Sequence, residues 1–98
     1  MYNAFGIELG NRVIISQGAF LCSATHDYRQ PDYPLSGGKI DVEDDSWIAA
    51  QAFLAPGVHV GKGGVVGARA VVTKSVQPWT VVAGNPAKPI RTRSLEQP

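Results

Sequence analysis

A period of six residues constrains this chain more than any other feature. From Val42 the sequence divides without a slip into VEDDSW, IAAQAF, LAPGVH, VGKGGV, VGARAV and VTKSVQ. Position one is always aliphatic (Val42, Ile48, Leu54, Val60, Val66, Val72), and position five is mostly small (Ser46, Ala52, Val58, Gly64, Ala70, Val76). The same register appears upstream in LGNRVI, ISQGAF and LCSATH, with Leu9, Ile15 and Leu21 at position one. Ile7 and Ile40 fall at position five of two weaker hexads, NAFGIE and SGGKID, which brings the count to eleven. A helix needs apolar residues about 3.6 apart and an ordinary half-buried strand needs simple alternation, so a period of six fits neither. It fits a coil in which three hexads make one turn, each supplying a short strand and a bend, with position one pointing to the axis.

Eleven hexads predict three to four turns of an all-β parallel solenoid over about residues 3–77, with a tail over 78–98, in one domain spanning 1–98. The glycines and proline at Pro56, Gly57, Gly61, Gly63, Gly64 and Gly67 are expected at the bends. Residues 27–35, DYRQPDYPL, break the repeat with two prolines and two tyrosines, and predict a loop thrown out of the coil. Aromatic residues are 8% of the composition, so the core must be a thin stack of Val, Ile, Leu and Ala layers. Each layer is buried only against the next, so the first coil, which begins almost at Met1, is expected to need a cover: a longer chain or an obligate partner.

The net charge of +1 conceals an asymmetry. Through residue 59 three basic residues face seven acidic ones; beyond it Lys62, Arg69, Lys74, Lys88, Arg91 and Arg93 face Glu96 alone. A phosphate-bearing ligand is drawn to the second region, while nothing in the overall balance points to nucleic acid or an acidic membrane. Cys22 is the single cysteine, which rules out an intrachain disulfide. With neither a signal-like N-terminus nor an apolar run of membrane length, the expectation is a cytoplasmic protein with no membrane partner.

The segments ISQGAFLCSATHDY and WIAAQAFLAPGVHVGKGGVVGARAVVTKSVQPWTVVAGNPAKPIR, with the YP-bearing loop between them, resemble the hexapeptide-repeat acyltransferases, and most of all the colanic-acid type of sugar O-acetyltransferase. The likeness runs from Leu9 to Arg91. It implies a left-handed parallel β-helix, a hand that the spacing does not show and that ordinary parallel crossovers disfavour. It also implies a homotrimer with active sites between subunits, and acetyl-coenzyme A as cosubstrate. Family members carry a longer N-terminal portion that helps to build the acceptor surface, so this chain is expected to be short there.

Moving an acetyl group from a thioester to a hydroxyl requires a base for the hydroxyl proton and donors for the developing oxyanion. Histidine, with an ordinary pKa near 6.5, suits the first task. His26 ends LCSATH at the edge of the loop, and the resemblance makes it the catalytic base. Asp27, next to it, is open to orienting the imidazole or to being a plain loop carboxylate. The resemblance further places Trp47 beside the pantetheine arm, Ala68 where backbone groups meet it, Thr73 and Lys74 near its phosphate end, and Lys88 and Arg91 against the nucleotide. Tyr28 and Tyr33 either wall a sugar-acceptor pocket or pin the loop. His59 reads as a solvated surface residue without a partner, and Cys22 as a packing residue. Some hexapeptide solenoids are zinc carbonic anhydrases, which need three histidines; two are present here, so no metal is expected. Two rivals to sugar O-acetylation stand: N-acetylation of an amino sugar, and a catalytically silent trimeric solenoid that at most binds coenzyme A.

Overall fold

The structure is a computed structural model that describes residues 4–95. The hexads become two-residue strands made of position six followed by position one, so that one side chain points out and the next points in. In chain order the strands are β1 (Ile7–Leu9), β2 (Ile14–Ile15), β3 (Phe20–Leu21), β4 (Ala24–His26), β5 (Leu35–Gly37), β6 (Ile40–Val42), β7 (Trp47–Ile48), β8 (Phe53–Leu54), β9 (His59–Val60), β10 (Val65–Val66), β11 (Val71–Val72), β12 (Thr80–Ala83) and β13 (Lys88–Thr92). All but β4 and β5 stack into three sheets around one axis. The first sheet is β1-β6-β9, continued by a bridge from Val60 to Val76; the second is β2-β7-β10-β12-β13; the third is β3-β8-β11. All pairings between successive coils are parallel, as the six-residue period predicts.

Position one forms the core. Val42, Ile48, Leu54, Val60, Val66 and Val72 are buried, as is Leu21. Position five lies beneath the corners: Ala52, Val58, Ala70 and Val76 are buried, and the buried Ser46 hydroxyl donates to the Gly61 carbonyl at 3.2 Å. A fully buried Val, Leu or Ile side chain contributes about 1.5–3 kcal/mol, and these layers touch only their neighbours above and below. The first coil is the thin end. Leu9, although at position one, is 40% exposed, and Ile7, Val13 and Ile15 are only partly buried.

Position four is the residue that turns the corner, a role the sequence reading did not assign. Arg12, Gly18, Asp45, Gln51, Gly57, Gly63 and Arg69 all hold this position, and all have positive φ. Of the glycines expected at the bends, Gly57 and Gly63 do serve this conformation. Gly61, Gly64 and Gly67 are needed for room instead: a Cβ on Gly61 would lie 2.6 Å from the Pro78 nitrogen, and one on Gly64 2.8 Å from Val60 Cγ1.

The extruded segment is more ordered than the expected loop. β4 and β5 pair antiparallel, with Thr25 opposite Ser36 and His26 opposite Leu35, so Leu35 belongs to a strand and only the tip is turn. This ribbon explains why first-coil residues pair 33 positions ahead while later coils repeat at 18. The parallel ladder also runs beyond Gln77, where the hexads stop: β12 lies on β10, and β13 folds back antiparallel onto β12. Arg93 fastens that hairpin, donating to the carbonyls of Asp45 (2.7 Å) and Gly63 (3.1 Å) with its guanidinium over the Trp79 ring. No helix among the described residues is long and apolar enough to cross a membrane.

Candidate active site

His26 ends β4 where the ribbon runs into its tip, with its side chain exposed and ring Nδ1 2.8 Å from the Tyr33 carbonyl. Asp27 does not orient that imidazole. Its carboxylate accepts from Arg29 through the backbone N–H (3.0 Å), Nε (2.9 Å) and Nη2 (3.2 Å), and the hydrogen bonds from the guanidinium and the backbone hold its pKa below the usual carboxylate range. Of the two readings left open for Asp27, the structure selects the loop carboxylate. Tyr28 and Tyr33 stand at the tip, 82% and 59% exposed.

Trp47 is the outward residue of β7, between Ile14 and Val65 on the second sheet. Its Nε1–H donates to Ser16 Oγ at 2.8 Å, which fixes the ring on the coil surface with 45% of the residue exposed. Ala68 is exposed at the corner between β10 and β11, next to Gly67, whose N–H is held by the Val82 carbonyl.

Thr73, Lys74 and Lys88 come together in a cleft of about 340 Å³ at the C-terminal corner, walled by Val72, Pro86 and Pro89. The turn between β12 and β13 builds one wall by clipping onto β11: the Val71 N–H donates to the Gly84 carbonyl and the Ala87 N–H to the Val71 carbonyl. The Asn85–Pro86 peptide in that turn is cis. Trp47, Ala68 and Arg91 lie outside this lining, with Arg91 exposed on β13 opposite Val81. The residues assigned to the cofactor by resemblance thus form one compact group, two positions along the coil and one on the hairpin strand β13.

His59 departs from the expectation of a residue without a partner. It contacts the Glu43 carboxylate through Nε2, and its Nδ1 lies 3.9 Å from Asp41 Oδ2. The signal was in the register: Asp41 and His59 both occupy outward positions of the first sheet and are stacked opposite one another. Together with Glu8, Glu43, Asp44 and Lys62 they line a shallow cleft of about 270 Å³. Among the described residues no group of three or more His, Cys, Asp or Glu is arranged to hold a metal ion. Arg93, counted from the sequence among the basic residues that draw a phosphate-bearing ligand to the second region, instead directs its guanidinium to backbone carbonyls inside the molecule.

A hexapeptide-repeat acetyltransferase of Vibrio cholerae, solved with acetyl-coenzyme A, superposes with a TM-score of 0.82 at 35% identity, covering 90% of this chain and 50% of that one. This chain belongs to the hexapeptide-repeat acetyltransferases, and its solenoid is the left-handed β-helix of that family. A galactoside acetyltransferase in complex with coenzyme A gives a TM-score of 0.83 at 27% identity over 90% of this chain and 46% of its own. In sequence, the WcaF protein of Escherichia coli, named for acetyl transfer in colanic acid biosynthesis, is 39% identical over 93 residues, 95% of this chain and 51% of WcaF. No family model matches the sequence. The chain spans about half the length of the curated relatives it matches.

Proposed function

We propose that the chain is the catalytic half of an acetyltransferase that moves an acetyl group from acetyl-coenzyme A directly to a hydroxyl of a carbohydrate, with His26 as general base. The observation that carries this reading is the C-terminal cleft. Its two ammonium groups, Lys74 and Lys88, and the Thr73 hydroxyl are set on a coil whose solved relatives hold coenzyme A or acetyl-coenzyme A. Lysine is a compact cation well matched to phosphate, and the charge excess of the second region adds to the attraction. The pantetheine arm then runs along the coil past Ala68 toward Trp47, and Arg91 meets the nucleotide.

In the chemical step His26 takes the acceptor hydroxyl proton as the oxygen attacks the thioester carbonyl. The new C–O bond forms, the C–S bond breaks, and the departing thiolate takes the proton back from the imidazolium, leaving an acetyl ester and free coenzyme A. The exposed rings of Tyr28 and Tyr33 on the ribbon suit the apolar face of a sugar. The assembly is a homotrimer, in which the outward apolar columns of the second and third sheets are covered by other copies. The relatives' names support a sugar acceptor: one acts on galactosides, another is named for a polysaccharide pathway.

Calorimetry with acetyl-coenzyme A, together with release of free coenzyme A in the presence of sugar acceptors, tests the proposal. Replacement of His26 by Ala is expected to lower turnover by about 100-fold or more while leaving cofactor affinity unchanged. Binding without turnover in the unaltered chain would favour the silent solenoid, and acetylation confined to amino sugars would favour the N-acetyltransferase.

A further inference from the structure

Among the described residues, Tyr33 is the left-handed non-glycine residue that serves no coil corner. Arg12, Asp45, Gln51 and Arg69 turn corners at hexad position four, and Trp79 closes the corner above Gly63, whereas Tyr33, at φ 47, lies at the tip of the ribbon. A bulky residue in this region is held there by its surroundings, and such strain collects where a group must be aimed. Here the aimed group is a carbonyl. The turn is closed by the Tyr33 N–H on the Gln30 carbonyl (3.2 Å), the Gln30 N–H on the Asp27 carbonyl (3.2 Å) and the Asp27 N–H on the Pro34 carbonyl (2.9 Å), while Arg29 grips the Asp27 side chain. The Tyr33 carbonyl is thereby placed 2.8 Å from Nδ1 of His26. A carbonyl has no proton to give, so the nitrogen facing it must carry one.

We propose that the ribbon tip is a tautomer lock: the backbone carbonyl of Tyr33, aimed by the left-handed conformation of that residue, holds the proton of His26 on Nδ1 and leaves Nε2 as the basic nitrogen. An imidazole free in water favours the opposite form, with the proton on Nε2, so the lock reverses the default. Tyr33 is then a positioning residue acting through its main chain. This deepens the proposed function, since the consequence for turnover rests on His26 being the base; the tautomer itself does not.

The test is nitrogen-15 NMR of the histidine rings at about pH 8, above the ordinary histidine pKa, with His26 assigned by comparison with His26→Gln. The expected result is Nδ1 protonated and Nε2 bare in the unaltered chain. Tyr33→Asn and Tyr33→Val both remove the phenol, so any loss they share reports acceptor contact. Asn tolerates the left-handed conformation and should keep the locked tautomer; Val, branched at Cβ, should shift His26 toward the Nε2–H form. Turnover of the Val variant should fall about 10-fold below that of the Asn variant, within the range a general base supplies, with equal affinity for acetyl-coenzyme A. An Nε2–H tautomer in the unaltered chain overturns the lock, and that measurement stands even if the Val variant does not fold. An identical tautomer in the Asn and Val variants also overturns it. If the lock is observed but His26→Gln turns over normally, it is the general-base reading that fails.

Discussion

The outer faces of the three sheets share one backbone and one core but carry opposite chemistry. On the first sheet the outward column is Glu8, Asp41 and His59, in register and joined by Lys39, which pairs with Glu8 and Asp41. On the second it is Ile14, Trp47, Val65 and Val81, and on the third Phe20, Phe53 and Val71, with the two phenyl rings stacked at 6.0 Å. Ile14 is 60% exposed and Phe20 44%. An outward position on such a strand contributes nothing to the central core, so its chemistry reports what the face meets. The first face is charged and polar. The other two carry contiguous apolar columns of the kind that mark contact surfaces.

If the apolar columns are subunit contacts, the largest effect will come from placing charge in them. Ile14→Asp combined with Phe20→Asp forces carboxylates into a dry contact, at a cost on the order of several kcal/mol each. The assembly mass by light scattering should fall to that of a single chain, whereas Asp41→Asn on the first face should leave it unchanged. An unaltered mass in the double variant would break the comparison. A second effect separates inward from outward residues. Leu54→Ala should cost about 2–5 kcal/mol in urea denaturation through the cavity it leaves. His59→Ser, on the polar face, should stay within about 0.5 kcal/mol.

A smaller effect lies at the corner below the second sheet. Asp45 pairs with Arg12 at 2.6 Å, and the hydrogen bond from that guanidinium holds its pKa below the usual carboxylate value. With the folded-state pKa depressed, the pair stabilises the fold above the unfolded value of about 3.9 and is lost as pH falls through the folded one. Asp45→Asn keeps a residue suited to the corner's left-handed backbone, so the stability difference from the unaltered chain should be small, be present at neutral pH and vanish on strong acidification. A difference that persists in strong acid would assign the effect to the backbone instead. The smallest expected change is on the first face, where Lys39→Gln should alter the melting temperature little and added salt should erase even that.

The core was legible because position one must point inward wherever the period holds, and from Leu21 through Val72 every aliphatic residue at position one is buried, Ser36 of the weak hexad SGGKID being exposed in the ribbon. The ribbon was legible only as an interruption. Pairing of Thr25 with Ser36 is a contact between strands that neither the hexads nor simple alternation announces. Position four was readable in hindsight, since Gly18, Gly57 and Gly63 share a column with Asp45, Gln51 and Arg69, but the polar residues concealed the conformation they adopt. His26 was singled out by its place at the loop edge and by family likeness; its hydrogen bond to Tyr33 depends on how the tip closes. For His59 the register announced the stacking on Asp41, but not the contact with Glu43, which lies two residues along from that pairing.

The sequence by itself determined the coil, its pitch and its inner column, because a six-residue period of aliphatic residues has one way to bury itself against copies of itself. Tertiary structure decided how the C-terminal hairpin folds over β11 to make the cleft, which partners His26, Asp27 and His59 take, and that Arg93 turns inward. The physical reason is range. Burial repeats locally and leaves a periodic trace, whereas a hydrogen bond between side chain and carbonyl on different coils depends on angles set only once the stack is complete.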